Sequence, residues 1–351
     1  MSARCRHLGN CGGCTLQQVP GAEYRAQKRD AVVHALAKHG VAAEVAEIVA
    51  VAPGTRRRAV FKIAKRDGVV DVGFHALKSH SIVDMQECLV LTLALTAFVP
   101  RLREAMVALL GNNQHAEAHV TEADNGIDLA FRASAKLTPA LTTSLAKAAP
   151  DLKAIRITWN GALAFESAAP LVRFGKASVK LPPESFLQPT REGEAVLRAH
   201  VLAAVGKAKS VADLFSGCGT FSLVLAEHAR VHAVEREQTM LDALANAAKA
   251  TQGLKPVTTA RRDLFKLPLT LAELNKFDAV SLDPPRAGAE AQVRQLALSK
   301  VPRLAYVSCD ANSFARDAAI LVNGGYRIGT VTPVDQFLWS SHIELVAGLA
   351  R

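Results

Sequence analysis

The sequence lacks an apolar leader and any hydrophobic run long enough to cross a bilayer. Residues 1–20 contain no continuous apolar segment, and the best run, Leu89–Val99, is far shorter than the about 20 residues that a spanning helix needs. Repeats, low-complexity tracts and Gly/Ser-rich linkers are also missing. These absences predict a cytoplasmic protein that is not embedded in a membrane. In that compartment, we expect the six cysteines to be metal ligands or catalytic thiols rather than disulfides.

Charged residues are sparse, at 21%, and half of the residues are hydrophobic, which excludes a disordered chain and predicts a packed core. The 351 residues are enough for about two domains. The net charge of +10 indicates a polyanionic partner. Residues 1–180 hold 23 basic and 15 acidic side chains, against 19 and 17 in residues 181–351. A dense basic run, Arg56–Arg66, either faces solvent or contacts phosphate, and both alternatives stay open.

The pattern of apolar residues changes near residue 180. Residues 1–180 mix strand-like and helical segments, which predicts an α+β region. Beyond residue 180, strand-like runs alternate with helical patterns, and this alternation predicts a parallel sheet that binds ligands at the carboxyl ends of its strands. These runs are Ser210–Leu214, Val231–Glu235, Asp278–Asp283 and Arg303–Ser308. Tyr326–Val331 and Ile343–Leu349 are expected to close the sheet as a β-hairpin.

The first of these strands leads into a glycine turn, Asp213–Ser222 (DLFSGCGTFS). Glycines such as Gly217 let the backbone pass close to a bound nucleoside, and Glu235 at the end of the next strand can accept both ribose hydroxyls. Ser222 replaces the third glycine of a dinucleotide-binding motif, and no basic residue accompanies the turn. The cationic cofactor S-adenosylmethionine therefore fits better, in a pocket made acidic by Asp213 and Glu235. Asp263 either reaches the adenine or caps a helix.

Two further strand ends carry residues suited to chemistry. Asp283 is followed by two prolines and Arg286, whereas base amino-group methyltransferases commonly have an aromatic residue after such prolines, so that reaction is disfavoured. Cys309 follows the strand Arg303–Ser308, and Glu344 lies in an apolar segment near the C-terminus. A thiolate and a base are what methylation at carbon 5 of a pyrimidine needs. We therefore predict Cys309 as the nucleophile and Glu344 as the base, and Cys218 as structural.

Four cysteines form a candidate metal site: Cys5, Cys11, Cys14 and Cys88. Their spacing, a cluster of three with a remote fourth, is typical of an iron–sulfur cluster. Structural zinc sites usually have two C-x2-C pairs and only one is present here, so iron–sulfur is favoured over zinc. Unligated thiols are a third alternative.

Several motifs together resemble the RNA 5-methyluridine methyltransferases, the uracil-C5 family that acts on ribosomal and transfer RNA. They are Gly73–His75, Ser79–Cys88, Ser185–Gln188, the glycine turn, DPPRAG from Asp283, Val307–Cys309 and His342–Glu344. The resemblance implies Cys309 as nucleophile, Glu344 as base and a [4Fe-4S] cluster on the four cysteines. The predicted cofactor-binding residues are Gln188, Phe215, Gly217, Glu235 and Asp283. Phe186 is expected to touch the target base.

The resemblance also implies a fold class: α/β, with a Rossmann-like class I methyltransferase domain in residues 181–351. An N-terminal α+β iron-sulfur and RNA-recognition region is expected in residues 1–180. The TRAM RNA-binding barrel of many members is expected to be absent, because the first cluster ligand is already residue 5. This combination resembles the branch that modifies 23S rRNA, and we expect a monomer. Transfer RNA as substrate, cytosine-C5 methylation and a non-catalytic RNA-binding protein remain alternatives.

Overall fold

A computed structural model describes residues 4–351, so residues 1–3 of the predicted first domain lie outside the described residues. The elements of the N-terminal half, in chain order, are α1 (Gly21–Lys38), β1 (Val49–Ala50), β2 (Arg58–Arg66), β3 (Val69–His75), β4 (Ile82–Asp84), α2 (Leu93–Leu109), β5 (Gln114–Ala123), β6 (Gly126–Ala133), α3 (Pro139–Ala148), β7 (Ala154–Trp159), β8 (Ala162–Glu166), β9 (Leu171–Phe174) and β10 (Ala177–Lys180). The elements of the C-terminal half are α4 (Arg191–Val205), β11 (Ser210–Leu214), α5 (Ser222–Leu225), β12 (Arg230–Glu235), α6 (Gln238–Ala250), β13 (Val257–Arg261), α7 (Leu271–Leu274), β14 (Ala279–Leu282), α8 (Glu290–Leu298), β15 (Arg303–Ser308), α9 (Ala311–Asn323), β16 (Arg327–Ile328), β17 (Thr332–Asp335) and β18 (Glu344–Ala350).

The N-terminal sheet has seven strands in the order β4-β3-β2-β5-β6-β7-β8. Its strands alternate buried and half-exposed residues, as in β2, where Phe61 and Ile63 are buried and Lys62 lies on the other face. Helices α2 and α3 cover the buried face, and their apolar side chains share one core with Phe61, Ile63 and Trp159. This core confirms the α+β organisation predicted for the region.

The C-terminal sheet has the order β1-β17-β18-β15-β14-β11-β12-β13, with β16 also paired to β18. Strands β11 to β15 are mutually parallel, and β18 runs antiparallel to β15. Every residue of β14 is buried because helices cover both faces of the sheet. The carboxyl ends of β11, β12, β14 and β15 meet at one edge, where ligands bind in such sheets.

The sheet departs from prediction at its antiparallel edge. The expected hairpin partner of β18 was Tyr326–Val331, but only Arg327–Ile328 pairs there as β16. On the same side of β18, β17 pairs over three further residues, Thr332–Val334. The second partner of β17 is β1, a strand from the N-terminal half, and α1 packs against α9. Thus β1 and α1, which precede residue 180, contribute to the C-terminal sheet and its helical layer, while β9 and β10 pair with each other as a third, two-stranded sheet. Among residues 4–351, no helix combines the length and apolarity needed to span a bilayer.

Candidate active site

The glycine turn after β11 forms a tight loop that needs unusual backbone angles. Phe215, Gly217 and Gly219 all have positive φ, at 60°, 53° and 97°. The amide of Gly217 donates a hydrogen bond to Oε2 of Glu235 (3.1 Å), and the amide of Arg236 donates to Oε1 (2.7 Å). These bonds orient the Glu235 carboxylate at the end of β12, beside the turn.

Asp213 has a different place from the one predicted. Its side chain is buried beneath the turn and accepts a hydrogen bond from Oγ of Ser222 (2.5 Å). Burial raises the pKa of Asp213 to about 6. Asp213 therefore supports the glycine turn from below, and the acidic pocket expected from Asp213 and Glu235 is formed by Glu235 and Asp283 instead.

Asp283, at the end of β14, is joined to a chain of amide side chains. Nε2 of Gln188 donates to Oδ2 of Asp283 (3.4 Å), and Nε2 of Gln336 donates to Oε1 of Gln188 (2.9 Å). Burial, followed by the nearby Asp213 carboxylate, raises the pKa of Asp283 to about 7. A positively charged group bound next to Asp283 would favour its ionised form.

Cys309 and Glu344 meet across two neighbouring antiparallel strands. Ser308 of β15 pairs with Leu345 of β18. Because the two strands are antiparallel, the residue after Ser308, Cys309, lies opposite the residue before Leu345, Glu344. Burial, followed by the Glu344 and Asp283 carboxylates, raises the pKa of the Cys309 thiol to about 11. Burial and then Asp283 hold the pKa of Glu344, which is only 3% exposed, well above its usual value. Arg286 opposes both shifts.

One cavity of about 510 Å³ brings all the predicted catalytic and cofactor-binding residues together. They are Gln188, Phe215, Gly217, Glu235, Asp283, Cys309 and Glu344. Phe186 also lines it, as does Asp263, which caps the backbone by accepting a hydrogen bond from the amide of Phe265 (3.0 Å). Sequence reasoning missed Phe265, whose ring packs against Phe215 with 5.5 Å between centroids, because it lies outside every motif.

The sequence profile of the tRNA (uracil-5-)-methyltransferase family matches residues 175–351, which include the glycine turn, Cys309 and Glu344. The chain belongs to this family. The prediction from the motifs is confirmed: the chain is an RNA uracil-C5 methyltransferase that depends on S-adenosylmethionine.

Similar proteins extend the match over almost the whole methyltransferase. An uncharacterized RNA methyltransferase of Brucella suis is 45% identical over 347 residues, covering 99% of this chain and 84% of its own. The 23S rRNA (uracil(1939)-C(5))-methyltransferase RlmD of Halomonas elongata is 33% identical, covering 97% and 74%. The crystal structure of Pyrococcus abyssi tRNA (uracil-54, C5)-methyltransferase in complex with S-adenosyl-L-homocysteine has a TM-score of 0.75 at 23% identity, covering 96% and 86%. The Rossmann-like methyltransferase fold is thereby confirmed.

The four candidate ligand cysteines of the methyltransferase line a second cavity, of about 480 Å³. They are Cys5, Cys11, Cys14 and Cys88. Burial, followed by the charge of Cys88, raises the pKa of Cys14 to about 12. Within residues 4–351, however, no group of three or more His, Cys, Asp or Glu side chains is placed so that it could hold a metal ion. The predicted ligands thus line one cavity, but in the described part of the chain they are not arranged as a metal site.

The two cavities share a wall made of Arg286, Phe337 and His342. Nη2 of Arg286 donates to Nδ1 of His342 (3.2 Å), whose ring packs edge-on against Phe337 with 5.8 Å between centroids. The Arg56 guanidinium lies 5.5 Å from the centroid of Phe337. Arg286 and His342 belong to two motifs of the sequence, DPPRAG and His342–Glu344, whereas Phe337 belongs to none.

The basic run Arg56–Arg66 is largely occupied by internal contacts. Arg57 is buried, where its Nη2 pairs with Oε2 of Glu194 (2.5 Å). Nη1 of Arg58 donates to the carbonyl of Leu187 (2.6 Å), and its guanidinium lies over the ring of Phe186 at 5.1 Å. Neither alternative from the sequence, a solvated strand or a phosphate contact, describes Arg57. Its Nε also donates a hydrogen bond to the backbone carbonyl of Gln188 (3.1 Å), so Arg57 connects the start of the N-terminal sheet to the segment that carries Gln188.

Proposed function

We propose that this methyltransferase modifies carbon 5 of a uridine in 23S ribosomal RNA, with Cys309 as nucleophile and Glu344 as base. The observation that carries the mechanism is the pairing of β15 with β18, which brings the thiol and a buried carboxyl to the same cavity. Carbon 5 of uracil is a poor nucleophile, so it must first be activated by covalent addition at carbon 6.

Cys309 performs the activation. Its thiolate forms a carbon–sulfur bond at carbon 6, and the electrons of the 5,6 double bond move onto the carbon 4 carbonyl oxygen as an enolate. Carbon 5 can then attack an electrophilic methyl group, which S-adenosylmethionine supplies when bound. The Arg286 guanidinium favours the thiolate because its charge lowers the pKa of Cys309. Arg286 thus counteracts part of the effect of burial.

Glu344 completes the reaction as a base. After methyl transfer, carbon 5 holds both a methyl group and a proton, and the carboxylate of Glu344 accepts that proton. The electrons left behind restore the 5,6 double bond and expel the Cys309 thiolate from carbon 6. A buried carboxyl with a raised pKa is a stronger base than an exposed one, which suits this step.

The residues around the glycine turn suit S-adenosylmethionine. Glu235 is oriented to accept the ribose hydroxyls, and Phe215 with Phe265 offers an aromatic surface to the adenine. Asp283 provides negative charge near the position of a sulfonium, and Gln188 holds its carboxylate. In the described part of the chain, the side-chain hydrogen bond to the Asp283 carboxylate comes from the neutral amide of Gln188, so a bound cation would not have to displace a basic side chain.

The target base has to leave its RNA stack to reach Cys309. Phe186 is 55% exposed at the rim of the cavity, and Arg58 covers one side of its ring. Its free face can stack against the extruded uracil, as aromatic side chains do with unpaired bases. Phe186 is therefore proposed to hold the target base.

The choice of 23S rRNA rests on the N-terminal half. The similarity to the Halomonas elongata 23S rRNA enzyme covers 97% of the chain, whereas the family profile covers only residues 175–351. The segment outside the profile includes the N-terminal sheet and the four cysteines. Transfer RNA is the second candidate, because the family profile is named for it.

We also propose a [4Fe-4S] cluster on Cys5, Cys11, Cys14 and Cys88. The support for this proposal is that all four thiols line one cavity, and that three of them lie close together in the sequence with a remote fourth, a spacing typical of iron–sulfur ligands. Protein purified without oxygen should be brown and contain iron and acid-labile sulfide in equal amounts. Colourless protein with one zinc ion per chain would contradict the proposal.

The reaction is tested with labelled S-adenosylmethionine and unmodified 23S and transfer RNA transcripts, followed by mapping of the labelled nucleotide. We expect 5-methyluridine in 23S rRNA and none after Cys309→Ala. Cys218→Ala is the matched control, since Cys218 is the other cysteine that lines the cavity, and it should retain methylation. If the label appeared only in transfer RNA, the proposed 23S rRNA substrate would be wrong. If the Cys309→Ala variant still methylated RNA, the proposed mechanism would be wrong.

A further inference from the structure

The segment between β17 and β18, residues 336–343, links the two cavities. It contributes Phe337 and His342 to their shared wall, and it ends at Glu344, the proposed base. Trp339, in its middle, has a φ of 60°, which a bulky residue adopts only when surrounding contacts impose it. Contacts from neighbouring residues must therefore hold this segment in its conformation.

Three buried side chains form that anchor, which we name the Asp335 clamp: Tyr24 and Lys28 of α1, and Asp335 of β17. Nζ of Lys28 donates to Oδ1 of Asp335 (2.6 Å), and the hydroxyl of Tyr24 donates to Oδ2 (2.5 Å). The side chains of Lys28 and Asp335 are only 2% and 0% exposed. The clamp thus joins the first helix of the chain to the last part of the catalytic sheet.

The clamp also binds the backbone of the segment directly. Oδ1 of Asp335 accepts a hydrogen bond from the amide of Phe337 (3.1 Å), and Nζ of Lys28 donates to its carbonyl (3.3 Å). The hydroxyl of Tyr24 accepts from the amide of Trp339 (2.8 Å). The carbonyl of Trp339 accepts from the amide of Leu16, close to Cys14 in the chain (2.8 Å). Four backbone groups of residues 337–339 are therefore held by the N-terminal segment and Asp335.

Packing alone does not explain this arrangement. An apolar pair of similar volume can replace a buried ion pair without loss of stability, so a buried pair is weak evidence for a role in stability. Here the polar side-chain atoms of all three residues form hydrogen bonds, and three of the five bonds go to the segment beside the active site. This arrangement is what we expect of residues that fix the backbone position of the segment 336–343.

We propose that the Asp335 clamp is a positioning element of the active site: Tyr24, Lys28 and Asp335 hold residues 336–343 so that His342, Phe337 and Glu344 face the target base. The inference rests on the proposed function, because it assigns the clamp to the reaction of Cys309 and Glu344. None of its three members lines the catalytic cavity, so none is expected to touch the substrate.

Tyr24→Phe is the sharpest test. It removes one hydroxyl that joins Asp335 to Trp339 and leaves the ring and the Lys28–Asp335 pair in place. Tyr326→Phe is the matched control, because Tyr326 is also buried and its hydroxyl donates to the carbonyl of Val301 (2.6 Å), away from both cavities. Each variant is purified as the full chain, and its kcat, its KM for S-adenosylmethionine and its thermal unfolding are compared with those of the unchanged protein.

We expect Tyr24→Phe to lower kcat by about 10- to 100-fold, the loss that a misplaced reacting group causes, with KM for S-adenosylmethionine within about twofold. The fluorescence of the chain's two tryptophans gives an independent measurement. Trp159 is fully buried, so quenching by acrylamide reports mainly on the half-buried Trp339 and should increase in Tyr24→Phe alone.

A Tyr24→Phe variant with unchanged kcat and quenching would overturn the proposal. So would equal losses of kcat in Tyr24→Phe and Tyr326→Phe, since these would reflect general destabilisation. Failure of the proposed function is a separate result: it would appear in the unchanged protein as RNA without 5-methyluridine. Failure of the clamp would appear only in the comparison of the two variants.

Discussion

Replacing Glu344 with Gln should make the protein more stable and less active at the same time. Glu344 is 3% exposed at the start of β18, and no described residue donates a side-chain hydrogen bond to its carboxyl group. Burial, followed by the Asp283 carboxylate, holds its pKa well above the usual value. Gln has the same size and no charge, so it removes this electrostatic cost and also the base.

The size of the stability effect follows from the direction of the pKa shift. The folded protein holds the Glu344 proton more tightly than the unfolded chain, in which the group titrates near about pH 4.3. As pH rises above that value, the folded state therefore loses stability relative to the Gln variant, by up to about 1.4 kcal/mol per pH unit. The difference stops growing once pH exceeds the pKa of the folded protein.

Urea unfolding of both proteins at pH 5, 6, 7 and 8 measures this difference. The free energy of unfolding of Glu344→Gln should exceed that of the unchanged protein by an amount that increases with pH. Glu104→Gln, at an exposed position of α2, is the matched control and should follow the unchanged protein at every pH. The catalytic effect is measured on denaturing gels. Glu344→Gln should accumulate RNA joined to Cys309, because the proton on carbon 5 stays in place and the thiolate is not expelled.

Two results would refute the reasoning. If the stabilities of Glu344→Gln and the unchanged protein differed by the same amount from pH 5 to pH 8, the carboxyl of Glu344 would not have a raised pKa. If the variant released methylated RNA at the normal rate, another group would be the base, and the pairing of β15 with β18 would have no catalytic consequence.

Two other perturbations test the electrostatics of the fold. The pKa of Asp283 is raised to about 7, so its carboxyl group becomes ionised between pH 6 and pH 8. Calorimetry should therefore show that the affinity for S-adenosylmethionine increases over this range. The affinity for S-adenosylhomocysteine, which lacks the sulfonium charge, should not increase in this way, and Asp283→Asn should abolish the increase. Arg57→Met should lower the free energy of unfolding in urea by about 3 kcal/mol, the lower end for a broken buried pair, because the buried Glu194 carboxylate keeps its contact with Arg198 (3.1 Å) but loses Arg57. Lys62→Met, which breaks a half-exposed pair with Glu117, should cost at most about 1 kcal/mol, and equal costs would contradict the difference in burial.

Local patterns were sufficient where a strand is a continuous apolar run between turns. Ser210–Leu214 and Arg303–Ser308 were predicted with the same bounds as β11 and β15, because both faces of these strands are buried. The cavity residues at their carboxyl ends followed from the same rule for parallel sheets. The position of Cys309 could thus be inferred from the chain alone.

Long-range pairing was beyond the reach of such patterns. The charge of Arg57 is neutralised by Glu194, which is 137 residues away, so the basic run could not be recognised as internal. The short strand β1 has only two residues, and its partner β17 lies near the other end of the chain. Residues that act through distant partners, such as Phe337 and Lys28, carry no local signal for the same reason.

The Asp335 clamp has a consequence for the synthesis of the protein. Tyr24 leaves the ribosome early, but its partner Asp335 is 311 residues further on. Translation proceeds at about 5–20 residues per second, so roughly 15–60 s pass after the synthesis of helix α1 before Asp335, the partner of Lys28, has been synthesised. During that interval the apolar side chains of α1 and the edge of the unfinished sheet have no partner, which is when aggregation competes with folding. Lower growth temperature or slower translation should therefore change the yield of folded enzyme more than that of a protein whose sheet is completed by neighbouring segments.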